Sequence, residues 1–395
     1  MKKIIKRIFI LLLLVVTAFS AFQVYKMIKD LDKKMVNIEK IPKKEIKNID
    51  TSEYIFKNYH KQAKKLLKEM TIKEKVGQLF LVRYNKNDVE YLSNYYPGGY
   101  ILFAKDFENH TKDSMKDELV LAQKKNKYPL IIGVDEEGGT VTRVSKYKNF
   151  REERFKSPRD YYDEGGYELL EKIEQEKATL LKEIGINLNL APVADVSTNP
   201  DDFIYERSFK KSAEETAEYV KNMVKYAKNN HINACLKHFP GYGSNIDTHS
   251  QIAIDERSYE SLKENDFLPF KAGIEEKVPA ILISHNIIKS IDDKHPASLS
   301  DKVIKELRNT LNFDGIIITD DLAMDAVKDY VDNKEAATLA IQAGNTMIIT
   351  SNFLEMYEEV INAVKENKIT EEQIDKAVLS IIEWKYYSNL FLQGG

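Results

Sequence analysis

The chain has 395 residues, 43% hydrophobic and 31% charged, which suits a globular protein with an ample core in one large or two ordinary domains. The net charge of −3 gives no sign of general nucleic-acid binding. The one cysteine, Cys235, rules out an intrachain disulfide, and its neighbours Ala234 and Leu236 make it a small buried strand residue rather than a reactive thiol.

The charge is unevenly placed. Residues 1–50 carry 12 Lys/Arg against 5 Asp/Glu, so the rest of the chain is net acidic. Lys2, Lys3, Lys6 and Arg7 precede an apolar run from Ile8 to Tyr25, broken only by Thr17, Ser20 and Gln23. Such a run just spans a bilayer core of about 30 Å. One reading is a cleaved signal peptide with Ala18-Phe19-Ser20 at the cleavage site. The favoured reading, because the run is long for a signal, is an uncleaved anchor over residues 1–30, oriented cytoplasm-in by its basic flank. No cysteine follows the run, which excludes a lipoprotein anchor. Both readings place the body outside the cytoplasm, membrane-anchored in the first case and secreted in the other. Residues 31–50 read as a basic linker, lysine-rich and interrupted by Pro42.

From residue 51 to 395 short apolar runs alternate with longer amphipathic segments, without a second linker. Strands are expected at Gln78–Val82, Tyr100–Ala104, Leu130–Val134, Asn187–Val193, Ala234–His238, Ala280–Ser284, Gly315–Thr319 and Thr346–Thr350. Helices are expected at Gly166–Ile184, Ala213–Asn229, Tyr259–Ile274, Asp301–Leu311 (capped by Ser300) and Glu371–Tyr387. Nearly all-apolar strands suit a parallel sheet covered on both faces. Polar residues cluster just after strand ends: Asp135, Glu136 and Glu137; Asp195; Lys237 and His238; His285; Asp320 and Asp321. That distribution favours an α/β single-domain (β/α)8 TIM-type barrel, with its rim at the C-terminal strand ends, over an open doubly wound sheet. The hydrophobic N-terminal helix and basic stalk precede it.

Lys237-His238-Phe239-Pro240-Gly241-Tyr242-Gly243, followed by Asp247-Thr248-His249, is the densest polar stretch. A buried unpaired polar group costs about 1–3 kcal/mol, so the stretch reads as a loop that handles a polar ligand and moves a proton. Asp247 stands where it can orient His249 and support its imidazolium form, although a loop histidine is otherwise inert surface. Asp320-Asp321 end an apolar strand, where a carboxylate needs a partner or a task. The first reads as functional and the second as a helix cap or supporting group. Asp135-Glu136-Glu137-Gly138-Gly139 with Arg143 reads either as a ligand-binding turn, its glycines admitting close backbone approach, or as a solvated acidic turn. Glu206-Arg207-Ser208-Phe209 is weak by itself.

Taken together, Lys237-His238-Phe239-Pro240-Gly241-x-Gly243, Asp247-x-His249 and Thr319-Asp320-Asp321-Leu322-x-Met324 resemble glycoside hydrolase family 3, in its β-N-acetylglucosaminidase branch. Met70 to Gln78, Asp135-x-Glu137-Gly138-Gly139 with Arg143, Ala191-Pro192-Val193-x-Asp195-Val196, Glu206 to Phe209 and Pro296-Ala297-x-x-Ser300 extend the likeness over most of residues 65–350. The resemblance implies a retaining exo-β-N-acetylglucosaminidase acting on peptidoglycan fragments. Asp320 would be the nucleophile, and His249, oriented by Asp247, the acid/base on a mobile glycine-flanked loop. Asp135, Arg143, Arg207, Lys237 and His238 would hold the terminal N-acetylglucosamine. No cofactor, metal or nucleic acid is implied, and a monomer is expected. Tyr242 between the glycines and Lys210-Lys211 after the Glu-Arg-Ser-Phe segment depart from the family pattern, which bears on substrate preference. The alternatives are a glycoside phosphorylase on the same scaffold, a catalytically silent wall-glycan-binding protein, and a metal hydrolase using His238, Asp247, His249 and Asp320. No compact metal motif such as His-Glu-x-x-His supports the last.

Overall fold

The computed structural model describes residues 55–243, 253–328, 330–332 and 335–392. Eight parallel strands close into a barrel in chain order: β1 (Phe80–Arg83), β2 (Gly99–Leu102), β3 (Ile131–Val134), β4 (Leu188–Asn189), β5 (Asn233–Phe239), β6 (Ala280–Ile283), β7 (Ile316–Thr319) and β8 (Met347–Thr350). The ring is sealed where Phe80 and Leu81 of β1 pair with Ile348 and Ile349 of β8. Every strand falls within or beside its expected segment, so the barrel is the fold and the open sheet is excluded.

The strands are apolar because helices cover one face and the barrel interior the other. Ile316, Ile317 and Ile318 of β7 are each fully buried. Burying such a side chain stabilises the fold by at most about 1.5–3 kcal/mol relative to leaving it in water. β4 is shorter than expected because Pro192 has no N–H for the ladder. Pairing resumes beyond it, where the Ala194 N–H donates to the Lys237 carbonyl at 2.7 Å.

The helices Ala213–Asn229 and Glu371–Tyr387 have the expected bounds. The expected helix from Gly166 is longer in the structure, running Pro158–Glu183 with a break at Gly165 and Gly166, where Gly166 takes φ 63°. Ser157 caps the added first turn by accepting the Asp160 N–H at 3.1 Å. The segments from Tyr259 and from Asp301 each contain a wider turn, at Leu262–Asp266 and Glu306–Thr310. Ser300 caps the second as expected, accepting the Val303 N–H at 3.3 Å.

The closing helix Glu371–Tyr387 is tied to the N-terminal end of the barrel. Trp384 Nε1–H donates to Asn233 Oδ1, at the start of β5, at 2.9 Å. Lys385 Nζ donates to Gln78 Oε1 at 2.6 Å, and the Gln78 amide nitrogen is held by the carbonyls of Tyr96 and Pro97. Burial pushes the Lys385 amine down from 10.5 to about 7. Its folded pKa lies below its unfolded one, so the unfolded chain binds the extra proton across that window and stability rises with pH through it. At about 1.4 kcal/mol per unit the penalty near neutrality is on the order of a few kcal/mol. Lys385→Met is therefore expected to raise Tm at pH 7, partly offset by the lost hydrogen bond, with the advantage shrinking at pH 10. Thermal melts at the two pH values check this, and a variant less stable than wild type at both would contradict it.

The expected membrane anchor is corrected. Residues 1–30, which carried it, and the linker 31–50 lie outside the described residues. Among those described, no helix is long and apolar enough to cross a membrane. The longest, Pro158–Glu183, interleaves Glu, Lys and Asp with its apolar side chains, and such charges are costly in hydrocarbon. The membrane-anchored, extracytoplasmic placement is accordingly withdrawn.

Candidate active site

The rim after β3 divides three consecutive carboxylates between two tasks. Glu136 turns inward and builds the loop: its carboxylate accepts the N–H groups of Arg143 (2.8 Å), Val144 (2.7 Å) and Ser145 (3.2 Å), and also the Ser145 hydroxyl. Gly138, at φ +105°, allows the turn; a Cβ there would lie 2.3 Å from the Lys156 carbonyl oxygen. With the loop fixed, Asp135 and Glu137 project toward β5.

β5 meets them through a bulge. Its register against β6 slips between Leu236, opposite Ile281, and Phe239, opposite Ile283, so Lys237 and His238 together oppose one partner residue. Lys237 Nζ lies 2.6 Å from Asp135 Oδ1 and 2.6 Å from Glu137 Oε1. Arg207, from the loop after β4, grips Glu137 with Nε at 3.0 Å and Nη2 at 2.8 Å. Arg143 completes the group, its Nη2 3.6 Å from Asp135 Oδ2 and its guanidinium over the Phe103 ring. Asp135, Glu137, Lys237, Arg207 and Arg143 thus form one connected ion cluster.

The same Arg207 Nη2 stands 3.1 Å from His238 Nε2. A guanidinium only donates, so Nε2 accepts and the ring proton sits on Nδ1. From there it donates to Asp195 Oδ2 at 2.8 Å. Asp195 also accepts the N–H groups of His238 (3.0 Å) and Tyr242 (2.7 Å). Tyr242 is buried, its ring nearly perpendicular to that of His238 at 5.2 Å and 5.6 Å from Phe203.

Charge keeps Glu137, Lys237 and Arg207 ionised despite burial. Burial alone would lift Glu137, but Arg207 and Lys237 outweigh it and hold the carboxyl well below the usual carboxylate range. Burial would depress Lys237, but Asp135 and Glu137 outweigh it and raise the amine. Arg207 is likewise raised by Glu137 against its own burial.

Asp320 and Asp321 follow β7. Asp321 is engaged with the backbone and a neighbour: Oδ1 accepts the N–H groups of Ala323 (2.9 Å) and Ser351 (3.1 Å), and Oδ2 accepts the Ser351 hydroxyl at 2.6 Å. Asp320 is half-buried, its Oδ1 accepting the Asp321 N–H at 2.8 Å. His285, after β6, is tied to this segment, with Nε2–H donating to the Asp321 carbonyl at 3.1 Å. Strand register locates Asp320 relative to the cluster: Phe239 of β5 pairs with Ile283 of β6, Ile283 pairs with Thr319 of β7, and the Asp320 N–H donates to the Ile283 carbonyl at 3.0 Å. Asp320 therefore stands on the same rim as Lys237 and His238, with β6 between them.

The structure therefore brings together Asp135, Arg143, Arg207, Lys237 and His238, with Asp320 nearby on the same rim. Asp247 and His249 lie outside the described residues, as does the loop motion expected of them. Two residues central to the geometry were absent from the candidate set read from the sequence: Glu137, which both Arg207 and Lys237 grip, and Asp195, which orients His238. Their signal was a carboxylate just after a strand end, which does not tell a ligand-facing acid from a loop-building one.

The profile described as Glycosyl hydrolase family 3 N terminal domain matches residues 71–383. The chain belongs to glycosyl hydrolase family 3. Among family-3 relatives, the β-hexosaminidase of Nitrosomonas eutropha is 31% identical over 283 residues, covering 69% of this chain and 79% of that protein. The β-hexosaminidase of Photobacterium profundum is 34% identical over 274 residues, covering 68% and 78%. A family-3 β-N-acetylglucosaminidase from Paenibacillus sp. str. FPU-7 superposes with a TM-score of 0.76 at 27% identity. The match covers 82% of this chain and 63% of that one, so this chain spans less than two-thirds of that longer protein. The family-3 chain described here is a hexosaminidase-like glycoside hydrolase.

Proposed function

We propose that the protein is a retaining exo-β-N-acetylglucosaminidase that releases terminal β-linked N-acetylglucosamine from peptidoglycan fragments, with residues 51–395 as one catalytic domain. The observation that carries this reading is the rim cluster of Asp135, Lys237, Arg207, Arg143 and His238, with the half-buried Asp320 on the same rim across β6. Carboxylate acceptors and cationic donors in a fixed array suit the hydroxyls of one sugar ring. Asp320 would then sit against the anomeric carbon of that ring.

In the first step an Asp320 carboxylate oxygen bonds to C1 as the C1–O bond to the aglycone breaks, through an oxocarbenium-like transition state. His249, oriented by Asp247, gives its proton to the leaving oxygen. In the second step His249 takes a proton from water, whose oxygen bonds to C1 and displaces Asp320. Two inversions retain the configuration. The names of the relatives support the reaction, while the residue roles and the peptidoglycan substrate rest on the resemblance of the motifs.

Product analysis tests the reading. Proton NMR of a reaction on a GlcNAc–MurNAc disaccharide, beside chitobiose and with phosphate added in parallel, is expected to show β-N-acetylglucosamine as the first-formed anomer and no sugar 1-phosphate. The α-anomer appearing first would exclude double displacement. Accumulation of the 1-phosphate would make the enzyme a phosphorylase.

A further inference from the structure

The loop after β4 delivers Arg207 to the ion cluster, and shortly before Arg207 it holds an aromatic ring out to water. Phe203 is 39% exposed. A single exposed apolar side chain is ordinary; the seat of this one is not. Its ring lies 5.6 Å from that of Tyr242, tilted by 41°, and the Tyr242 ring meets that of His238 edge-on at 5.2 Å. Tyr242 is buried and clusters with Val193 and Ile204, apart from the main core. Val193 bridges to Lys237 of β5, so this small apolar cluster lies directly beside the residues proposed to hold the sugar. A satellite cluster beneath a long loop anchors that loop.

Hydrogen bonds fix the backbone on both sides of Phe203. Ahead of it, the Asp202 N–H donates to the Asn199 carbonyl at 3.0 Å, and Asp202 Oδ2 accepts the Ser197 hydroxyl at 2.7 Å. Beyond it, the Tyr205 N–H donates to the Asp202 carbonyl and the Arg207 N–H to the Ile204 carbonyl, each at 3.0 Å. Arg207 is then gripped by Glu137. The exposed ring therefore stands at a set place relative to the sugar cluster, with Tyr242 on one side and water on the other. A pyranose ring presents a face of C–H groups, and an aromatic face can cover it without stripping water from the hydroxyls at its edge. The aromatic side chain has only two rotatable bonds to order, so little conformational entropy opposes the contact.

We propose that Phe203, seated on Tyr242, is the platform for a saccharide aglycone. The first sugar of the leaving group packs its C–H face on the Phe203 ring while the terminal N-acetylglucosamine fills the cluster of Asp135, Arg207, Lys237 and His238. This deepens the exo-glycosidase reading and rests on it: with the cluster occupied by the terminal sugar, the aromatic face next to it is left to the aglycone. Phe203 thereby sets the preference for saccharide over small leaving groups, and Tyr242, which departs from the family pattern, supports it from below.

The test compares kcat/KM for chitobiose, whose aglycone is a sugar, with kcat/KM for β-N-acetylglucosaminyl fluoride, whose leaving group is a single atom that cannot reach the platform. In Phe203→Ala the ratio of the first to the second is expected to fall about 10-fold, the usual scale for truncating an aromatic contact. Phe203→Tyr keeps the ring and is expected to hold the wild-type ratio, which also serves if Phe203→Ala does not fold. An unchanged ratio in Phe203→Ala, or a fall in Phe203→Tyr as large as that in Phe203→Ala, would overturn the proposal. The wild-type enzyme separates the two claims. If it hydrolyses neither substrate, the glycosidase reading falls and takes the platform with it. If it hydrolyses both and Phe203→Ala leaves the ratio unchanged, the platform alone falls.

Discussion

Asp320→Ala is expected to lower kcat on a chromogenic β-N-acetylglucosaminide by about 10⁴-fold or more, with the fold intact. Covalent catalysis divides one difficult displacement into two easier ones, and Asp320 is the side chain proposed to accept the bond at C1. Asp320 follows β7, its Oδ1 oriented by the Asp321 N–H, on the rim that β5 also reaches through β6 with Lys237. The neighbouring residue is the internal control. Both Asp321 oxygens are engaged by Ala323 and Ser351, so Asp321→Ala should lower thermal stability more than it lowers turnover. Steady-state kinetics beside thermal melts distinguish the two. A fully active Asp320→Ala enzyme would remove the nucleophile assignment.

Lys237→Met is expected to cost both stability and activity. Lys237 is buried between Asp135 and Glu137. Removing one partner of such a group typically destabilises by about 3–5 kcal/mol, because the remaining charges stay buried without compensation. Asp135, proposed above to hold the sugar, would lose its anchor as well, and misplacement of that kind is expected to lower kcat/KM by about 10²-fold. The variant also carries a pH signature. The folded pKa of Glu137 lies below its unfolded value because Arg207 and Lys237 outweigh burial. Its stabilising contribution is present above the unfolded pKa and is lost only as pH falls through the depressed folded one. Removing Lys237 raises that folded value, so the variant should unfold in acid at a higher pH than wild type. Trp384, the single tryptophan and fully buried, gives a fluorescence signal for both the thermal and acid midpoints. Unchanged midpoints would contradict the cluster's role.

The barrel was legible because its signal is local. Runs such as Ile316-Ile317-Ile318 followed by Asp320 state both a doubly covered strand and the end at which its polar residue stands. β4 was overextended because apolar content continues through Ala191-Pro192-Val193 while the missing Pro192 N–H interrupts the ladder. The break at Gly165-Gly166 was legible as a boundary, but Ser157 as a cap preceding it was not. Of the rim, the positions were readable and the division of labour was not. Glu136 and Glu137 are adjacent and identical in type, yet one binds three backbone N–H groups and the other two cations, a distinction that exists only once the loop is closed. The role of Asp195 escaped for a related reason, since its partners His238 and Tyr242 lie at the end of β5 and in the loop after it, and no spacing rule connects them.

The most direct test of the central claim is to trap the covalent intermediate. A 5-fluoro-N-acetylglucosaminyl fluoride has an activated leaving group and a slowed second step, so a retaining enzyme accumulates the glycosyl-enzyme. Peptide mapping by mass spectrometry is predicted to place one sugar on the peptide containing Asp320, and to find none in Asp320→Ala. A sugar on any other residue, or turnover of the reagent without an adduct, would contradict Asp320 as the nucleophile of a double displacement.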